Sequence, residues 1–327
     1  MYKNKFKQIP IFLILISVVI PATLLAQEER GLKKAATILK DRFPSTRLVD
    51  IEYQTFATYD FKTKLHKQDF QKGQIKDHQY FRTSVNIPLI RKQRWSVATS
   101  LLYKYETFDV NKATYTNFPA YNLFDGKDTH YIAGSASFSY FSSLWGKPLI
   151  YNASLTIDGS HRYVETFKVG LSAIMVLNAS KTSRLSIGAV TMYDSNFITP
   201  FVPVLVFWQQ LGDGWSLDLT LPQRIYFVKD AGKNGRLTLG SDLRSNVSYF
   251  YPGLEEFDKS YYYREIQLRT SAMYEHRWHS FILYSRMGMM NVLDGKMTKT
   301  GKTSKNHILS TRPHPSLYFN VGISFNP

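Results

Sequence analysis

The 327-residue chain contains no cysteine. That excludes a disulfide framework, thiolate metal sites and cysteine nucleophiles, and it excludes a lipoprotein, whose acyl groups need a cysteine. Charge is also scarce. Asp, Glu, Lys and Arg make up 20%, while aromatics reach 15%, with 22 Tyr and 22 Phe. A soluble enzyme of this length carries more charge and fewer tyrosines. Long apolar runs are nearly absent. The one present, "IPIFLILISVVI" at 9–20, is shorter than the ~18–20 residues of a membrane-spanning helix. The rest of the chain therefore either stays free outside the inner membrane or enters a membrane as strands.

That apolar run follows Lys3, Lys5 and Lys7 and leads through "PATLLA" to Ala26. Basic, apolar and small-residue regions in this order predict a secretory signal peptide over 1–26, with Gln27 as the first mature residue. The formal net charge is +16. It suits anionic lipid headgroups and lipopolysaccharide phosphates as partners. No nucleic-acid-binding module accompanies it, so nucleic acid is not expected.

Residues 27–46 place Leu32, Ala35, Ala36, Leu39 and Phe43 on one face at helical spacing. They read as a linker or as a short amphipathic helix at the mouth or inside a lumen. From residue 48 the period becomes two. Val49, Ile51, Tyr53, Thr55, Ala57, Tyr59 and Phe61 alternate with Asp50, Glu52, Gln54, Thr58, Asp60 and Lys62. The same alternation recurs through runs ending at 316–325, most of them longer than the ~5–6 residues of a soluble strand. A tilted strand crosses a bilayer in about 9–11 residues. The expectation is an all-β fold, a closed antiparallel transmembrane β-barrel over 47–327. It has fourteen strands, or twelve if short ones are overcounted, and fourteen requires a turn at Pro222–Arg224.

Short connections such as "SKTS" (180–183) and "LGDG" (211–214) alternate with longer ones at 63–77, 108–129, 251–260 and 291–315. Short periplasmic turns and long external loops are the habit of bacterial barrels, which places both termini in the periplasm. The apolar faces end in aromatics. Trp95, Trp215, Phe281 and Phe325 form one expected girdle, and Tyr59, Phe61, Tyr105 and Tyr249 the other. The last strand, "SLYFNVGISFNP", has a wholly apolar face and must pair with the first, because an open edge in lipid leaves backbone groups unsatisfied. A terminal strand ending near an aromatic also resembles the signal read by the barrel-assembly machinery.

The cleavage-site Gln, the long alternating strands and "LGDGWSLDLTLP" followed by another strand resemble a family of uncharacterised outer-membrane β-barrel proteins from Bacteroidetes-type bacteria. The resemblance covers nearly all of the mature chain. It implies a Gram-negative outer-membrane location and supplies no chemistry.

Fourteen strands enclose more space than side chains alone fill. The polar faces supply the expected lining: Glu52, Arg82, Lys104, Glu106, Asp158, Lys168, Asp242, Arg244, Glu265 and Arg269. Two readings stand: a hydrated pore with weak selectivity, or a salt-bridged network that fills the barrel. The leading functional expectation is a passive or weakly selective pore. The alternative is a closed barrel with a surface-binding or envelope-structural role, aided by basic stretches at 62–72 and 296–305. A lipid-modifying enzyme stands well behind, because His307 three residues before Ser310 is a spacing without an orienting acid. "HRWH" at 276–279 lacks a third metal ligand. No cofactor is expected.

Overall fold

The computed structural model describes residues 43–44, 46–119, 128–194, 196 and 199–327. The expected signal peptide and residues 27–42 of the expected helix or linker lie outside them. Sixteen strands run in chain order: β1 (Val49–Phe56), β2 (Tyr59–Leu65), β3 (Gln68–Arg91), β4 (Trp95–Tyr115), β5 (Asp128–Leu144), β6 (Lys147–Gly159), β7 (Val164–Ala179) and β8 (Ser183–Asp194). They continue as β9 (Thr199–Gly212), β10 (Trp215–Leu221), β11 (Arg224–Ala231), β12 (Gly235–Phe250), β13 (Tyr261–Trp278), β14 (Phe281–Lys299), β15 (His307–Pro313) and β16 (Ser316–Phe325). All pair antiparallel with their neighbours.

β1 pairs with β16 and β3, while β2 pairs with β15 and β3. β14 in turn pairs with both β15 and β16. β1 and β2 are thus the lower and upper halves of one stave, and β16 and β15 of the next. The result is a closed antiparallel barrel of 14 staves. The end where β1 begins and β16 finishes is called the lower end below. The turn that decides the count lies between Leu221 and Arg224.

The two split staves face each other. Ala57 and Thr58 interrupt one, and His314 and Pro315 the other. Pro313 and Pro315 have no N–H for a ladder, which suits them only to such an interruption. The break costs the first stave its alternation. Gln54 and Phe56 point inward, and after the break Tyr59, Phe61, Thr63 and Leu65 do so. Two of the expected girdle residues, Tyr59 and Phe61, are therefore buried inside, because a one-residue slip moves every later side chain to the other face.

Tight turns close the lower end. Asp213 and Gly214 both have positive φ, 48° and 74°, as do Trp145 and Gly146, 52° and 70°. Two-residue hairpins need this mirror-image conformation to match strand twist, and glycine enters it without a Cβ clash. At the upper end the staves run on further than their periodicity predicts. β3 has 24 residues, β4 21 and β14 19. Much of the expected loops at 63–77, 108–129 and 291–315 is consequently strand, and the basic stretch 62–72 is a β2–β3 hairpin turning at His66 and Lys67.

Leu101, Phe138, Leu171, Ile187, Phe227 and Phe319 are exposed on the outer wall. At its lower rim Trp95 lies 6.3 Å from Phe138, Phe281 lies 5.3 Å from Phe325, and Lys229 sits over Trp215. At the upper rim Tyr105 accompanies the exposed Phe81, Phe167 and Tyr193. Leu101 is 55% exposed in mid-stave, and Ser100 lines the interior. Refolded into lipid vesicles, Leu101→Arg is expected to lose about 2–4 kcal/mol at the bilayer midplane, and Ser100→Arg clearly less. Equal losses in denaturant titrations would contradict the assignment of faces.

Candidate functional site

The lumen has three levels, each built from inward positions of staves whose outward positions are apolar. At the top, β12 folds across the barrel. Asn246 and Ser248 on β12 meet Lys104 and Glu106 on β4, although in the sheet these strands are separated by β13, β14, the split staves and β3. The Lys104 ammonium donates to Glu106 Oε2 (2.6 Å), Asn246 Oδ1 (2.5 Å), the Val247 carbonyl (3.0 Å) and Ser248 Oγ (3.3 Å). The Glu106 carboxylate also meets His78 Nε2 at 2.9 Å, and His78 Nδ1 meets the Tyr59 hydroxyl at 2.7 Å. On β5, Thr129 Oγ1 lies 3.5 Å from Ser248 Oγ.

The other side of the same strand end touches the next strands of that wall. The Tyr249 hydroxyl donates to Asp158 on β6 (3.2 Å), and the Tyr131 hydroxyl donates to the same carboxylate (2.6 Å). Lys168 bridges Asp158 and Asp194 at 2.7 and 3.2 Å. Tyr249, expected in the outer girdle, is thus buried in the lumen. Its alternation is regular, but the upper part of β12 has protein on both faces. Above this pinch Leu65, Phe70, Phe250, Tyr261, Tyr263, Met297 and Leu309 form a buried apolar cluster from β2, β3, β12, β13, β14 and β15. In the loop above it, burial and the neighbouring Glu165 carboxylate hold the Tyr251 hydroxyl above its ordinary pKa.

The middle level holds two adjoining cavities of about 590 and 640 Å³. Arg82, Arg224, Arg244, Arg269 and Arg286 line them with Glu52, Asp218 and Asp242. Inward-facing residues of the same or nearby strands supply the pairs. Arg82 reaches Glu52 at 3.2 Å, Arg224 reaches Asp218 at 3.2 Å, and Asp242 is shared by Arg244 at 2.7 Å and Arg286 at 3.6 Å. Arg269 donates to Gln267 Oε1 (2.7 Å), Gln54 Oε1 (3.1 Å) and the Tyr80 hydroxyl (3.2 Å). Gln267 links it onward to Glu265 at 2.6 Å. On the facing wall stand Tyr131, Ser135 and Thr156, with the two smaller hydroxyls 3.0 Å apart.

At the lower end the segment before β1 turns into the barrel. Arg47 pairs with Glu275, which has no exposed side chain, and Arg236 meets the other oxygen of that carboxylate at 2.6 Å. Phe43 is buried beneath Arg236, 4.6 Å from its guanidinium. The Arg47 carbonyl accepts from Asn86 Nδ2 at 2.8 Å.

All ten charged residues picked from strand parity point inward, but the structure divides them. Glu52, Arg82, Asp242, Arg244 and Arg269 surround the chamber, whereas Lys104, Glu106, Asp158, Lys168 and Glu265 belong to the pinch and its margins. Parity missed Arg224, Glu275 and Arg286, although the same alternation that marks Asp242 and Arg269 marks them. His78 falls just after the expected 63–77 loop and Arg47 just before the alternation that starts at residue 48, so neither carries a periodic signal. In the chamber guanidiniums outnumber carboxylates. His307 and Ser310 lie on β15 opposite Thr298 and Lys296 of β14, with a bulge between them. Among the described residues no group of three or more His, Asp or Glu could hold a metal ion.

No family model and no curated protein matches the chain. Among solved structures the chain is similar to an outer membrane channel from Pseudomonas putida F1, with 11% identity and a TM-score of 0.36 over 87% of this chain and 97% of that one. It is also similar to a Pseudomonas aeruginosa FadL homologue, with 10% identity and a TM-score of 0.41 over 89% and 92%. Similarity to KdgM porin has 6% identity and a TM-score of 0.29 over 85% and 99%. Identities this low leave every role inside the lumen to be argued from this chain's own residues.

Proposed function

We propose that this chain is an outer-membrane β-barrel of a Gram-negative, Bacteroidetes-type bacterium, closed to free diffusion, with a binding or envelope-structural role. The observation that carries the reading is the Lys104 ammonium bonded to the Val247 carbonyl and the Asn246 and Ser248 side chains. Backbone of one wall held by a side chain of the far wall narrows the lumen at that height. This favours the filled barrel over the passive pore. A gated channel is the second reading, favoured by the chamber of about 590 Å³ below the pinch. Liposomes carrying the full-length refolded barrel should not swell in isosmotic arabinose. Swelling at rates typical of a general porin would overturn the closed reading.

The same proposal places both termini in the periplasm, with lipid and lipopolysaccharide outside and the barrel-assembly machinery as a transient partner. The exposed Lys62, Lys64, Lys67 and Lys72 of the β2–β3 hairpin stand at the end opposite the termini, where anionic headgroup phosphates would meet them. In this cysteine-free chain, a single cysteine at Lys302 should react with an impermeant maleimide on intact cells, and one at Thr182 should not. The reverse labelling would invert the topology. The proposal assigns no reaction to the chain.

A further inference from the structure

We infer that the middle of the lumen is a binding site for the oxyanion group, carboxylate or phosphate, of a small polar solute. The inference goes beyond the closed-barrel reading and does not rest on it, since a site in a folded barrel needs no current through it. Charge is distributed unevenly by level. At the bottom, Arg47 and Arg236 are matched by Glu275 and by Asp50, 3.8 Å from Arg47. At the top, Lys104 is matched by Glu106, and Lys168 faces two carboxylates. Among the described residues only the middle carries an excess of cations. Arg82, Arg224, Arg244, Arg269 and Arg286 share Glu52, Asp218 and Asp242, and Glu265 reaches Arg269 only through Gln267.

Arginine cannot shed this charge, because its guanidinium stays protonated in proteins. An enclosed excess of such groups is costly until an anion joins them. Guanidiniums match carboxylate and phosphate oxygens in planar, two-pronged geometry. Two donors in the cluster, Arg224 Nε and Arg286 Nη1, have no hydrogen-bond acceptor among the described residues, Nη1 standing 3.6 Å from Asp242 Oδ1. The facing wall presents the Ser135 and Thr156 hydroxyls, 3.0 Å apart. The chamber is thus one-sided: an arginine arc for the anionic group, and hydroxyls for a neutral, hydroxylated remainder.

Calorimetric titration of the full-length barrel refolded in detergent tests this with gluconate, glucose 6-phosphate and neutral glucose as probes. The expected result is binding of at least one anion and none of glucose. Binding of both assigns a general oxyanion site, and binding of one assigns that group. Arg224→Gln together with Arg244→Gln should weaken the anion about tenfold or more, the worth of one charge-assisted hydrogen bond. Asp218→Asn should strengthen it, because it removes the competitor for Arg224 at a pair that is 29% and 27% exposed. That gain distinguishes binding from a structural network and does not depend on whether the double variant folds. No heat with either anion, or equal affinities in Arg224→Gln and Asp218→Asn, would overturn the inference.

Discussion

Glu275→Ala is expected to cost about 3–5 kcal/mol of folding stability, the usual loss when a buried charge pair is deprived of one partner. Glu275 is fully buried and receives Arg47 on one oxygen and Arg236 on the other. Without it two guanidiniums face each other at the lower end of the lumen, and neither can lose its proton. Arg47→Gln should cost less, because it leaves Arg236 and Glu275 as a matched pair. The comparison is made by denaturant unfolding of the barrel in lipid vesicles, following the gel-mobility difference between folded and unfolded chains. Equal losses in the two variants would mean that Glu275 is held by something other than this pair of arginines.

The second large effect belongs to the pinch. Lys104→Met leaves Glu106 buried beside His78 and deprives Asn246 and the Val247 carbonyl of their shared donor. About 3–5 kcal/mol should be lost again. Lys104→Met combined with Glu106→Met should lose less than Lys104→Met alone, since replacing both members of a buried ion pair by apolar groups of similar size is often close to neutral. The pair is therefore strongly non-additive in a double-mutant cycle, as residues of one network are. Additive losses would remove Lys104 and Glu106 from a common network.

Strand periodicity reads the wall well and the lumen poorly, for a physical reason that Tyr59, Tyr249 and Arg269 illustrate. Arg269 sits in an unbroken stave, so alternation alone sends it inward. Tyr59 follows the interruption at Ala57 and Thr58, where the alternation resumes out of phase. Nothing local in "FATYD" announces that slip, because the matching break at His314 and Pro315 lies on the partner stave, far away in sequence. Tyr249 obeys its own strand's alternation and is still enclosed. Its surroundings depend on the upper part of β12 crossing the barrel to meet Asp158 and Lys104, a contact between strands that are not neighbours in the sheet. The charge surplus in the chamber has a similar origin. Each arginine could be placed on the inner wall separately, but how many carboxylates each shares is decided by which staves close on one another.

A disulfide across the lumen tests the central claim, that the upper half of this barrel is pinched shut. Thr129 on β5 and Ser248 on β12 belong to opposite walls, and their hydroxyl oxygens are 3.5 Å apart. The chain has no native cysteine to interfere. With Thr129→Cys and Ser248→Cys, mild oxidation of the barrel folded in vesicles should join the two within one molecule and change its mobility after denaturation. The account predicts near-complete cross-linking without loss of the folded species. Both thiols remaining free and open to alkylation in the folded barrel would mean that the walls stand apart by the full width of an open pore.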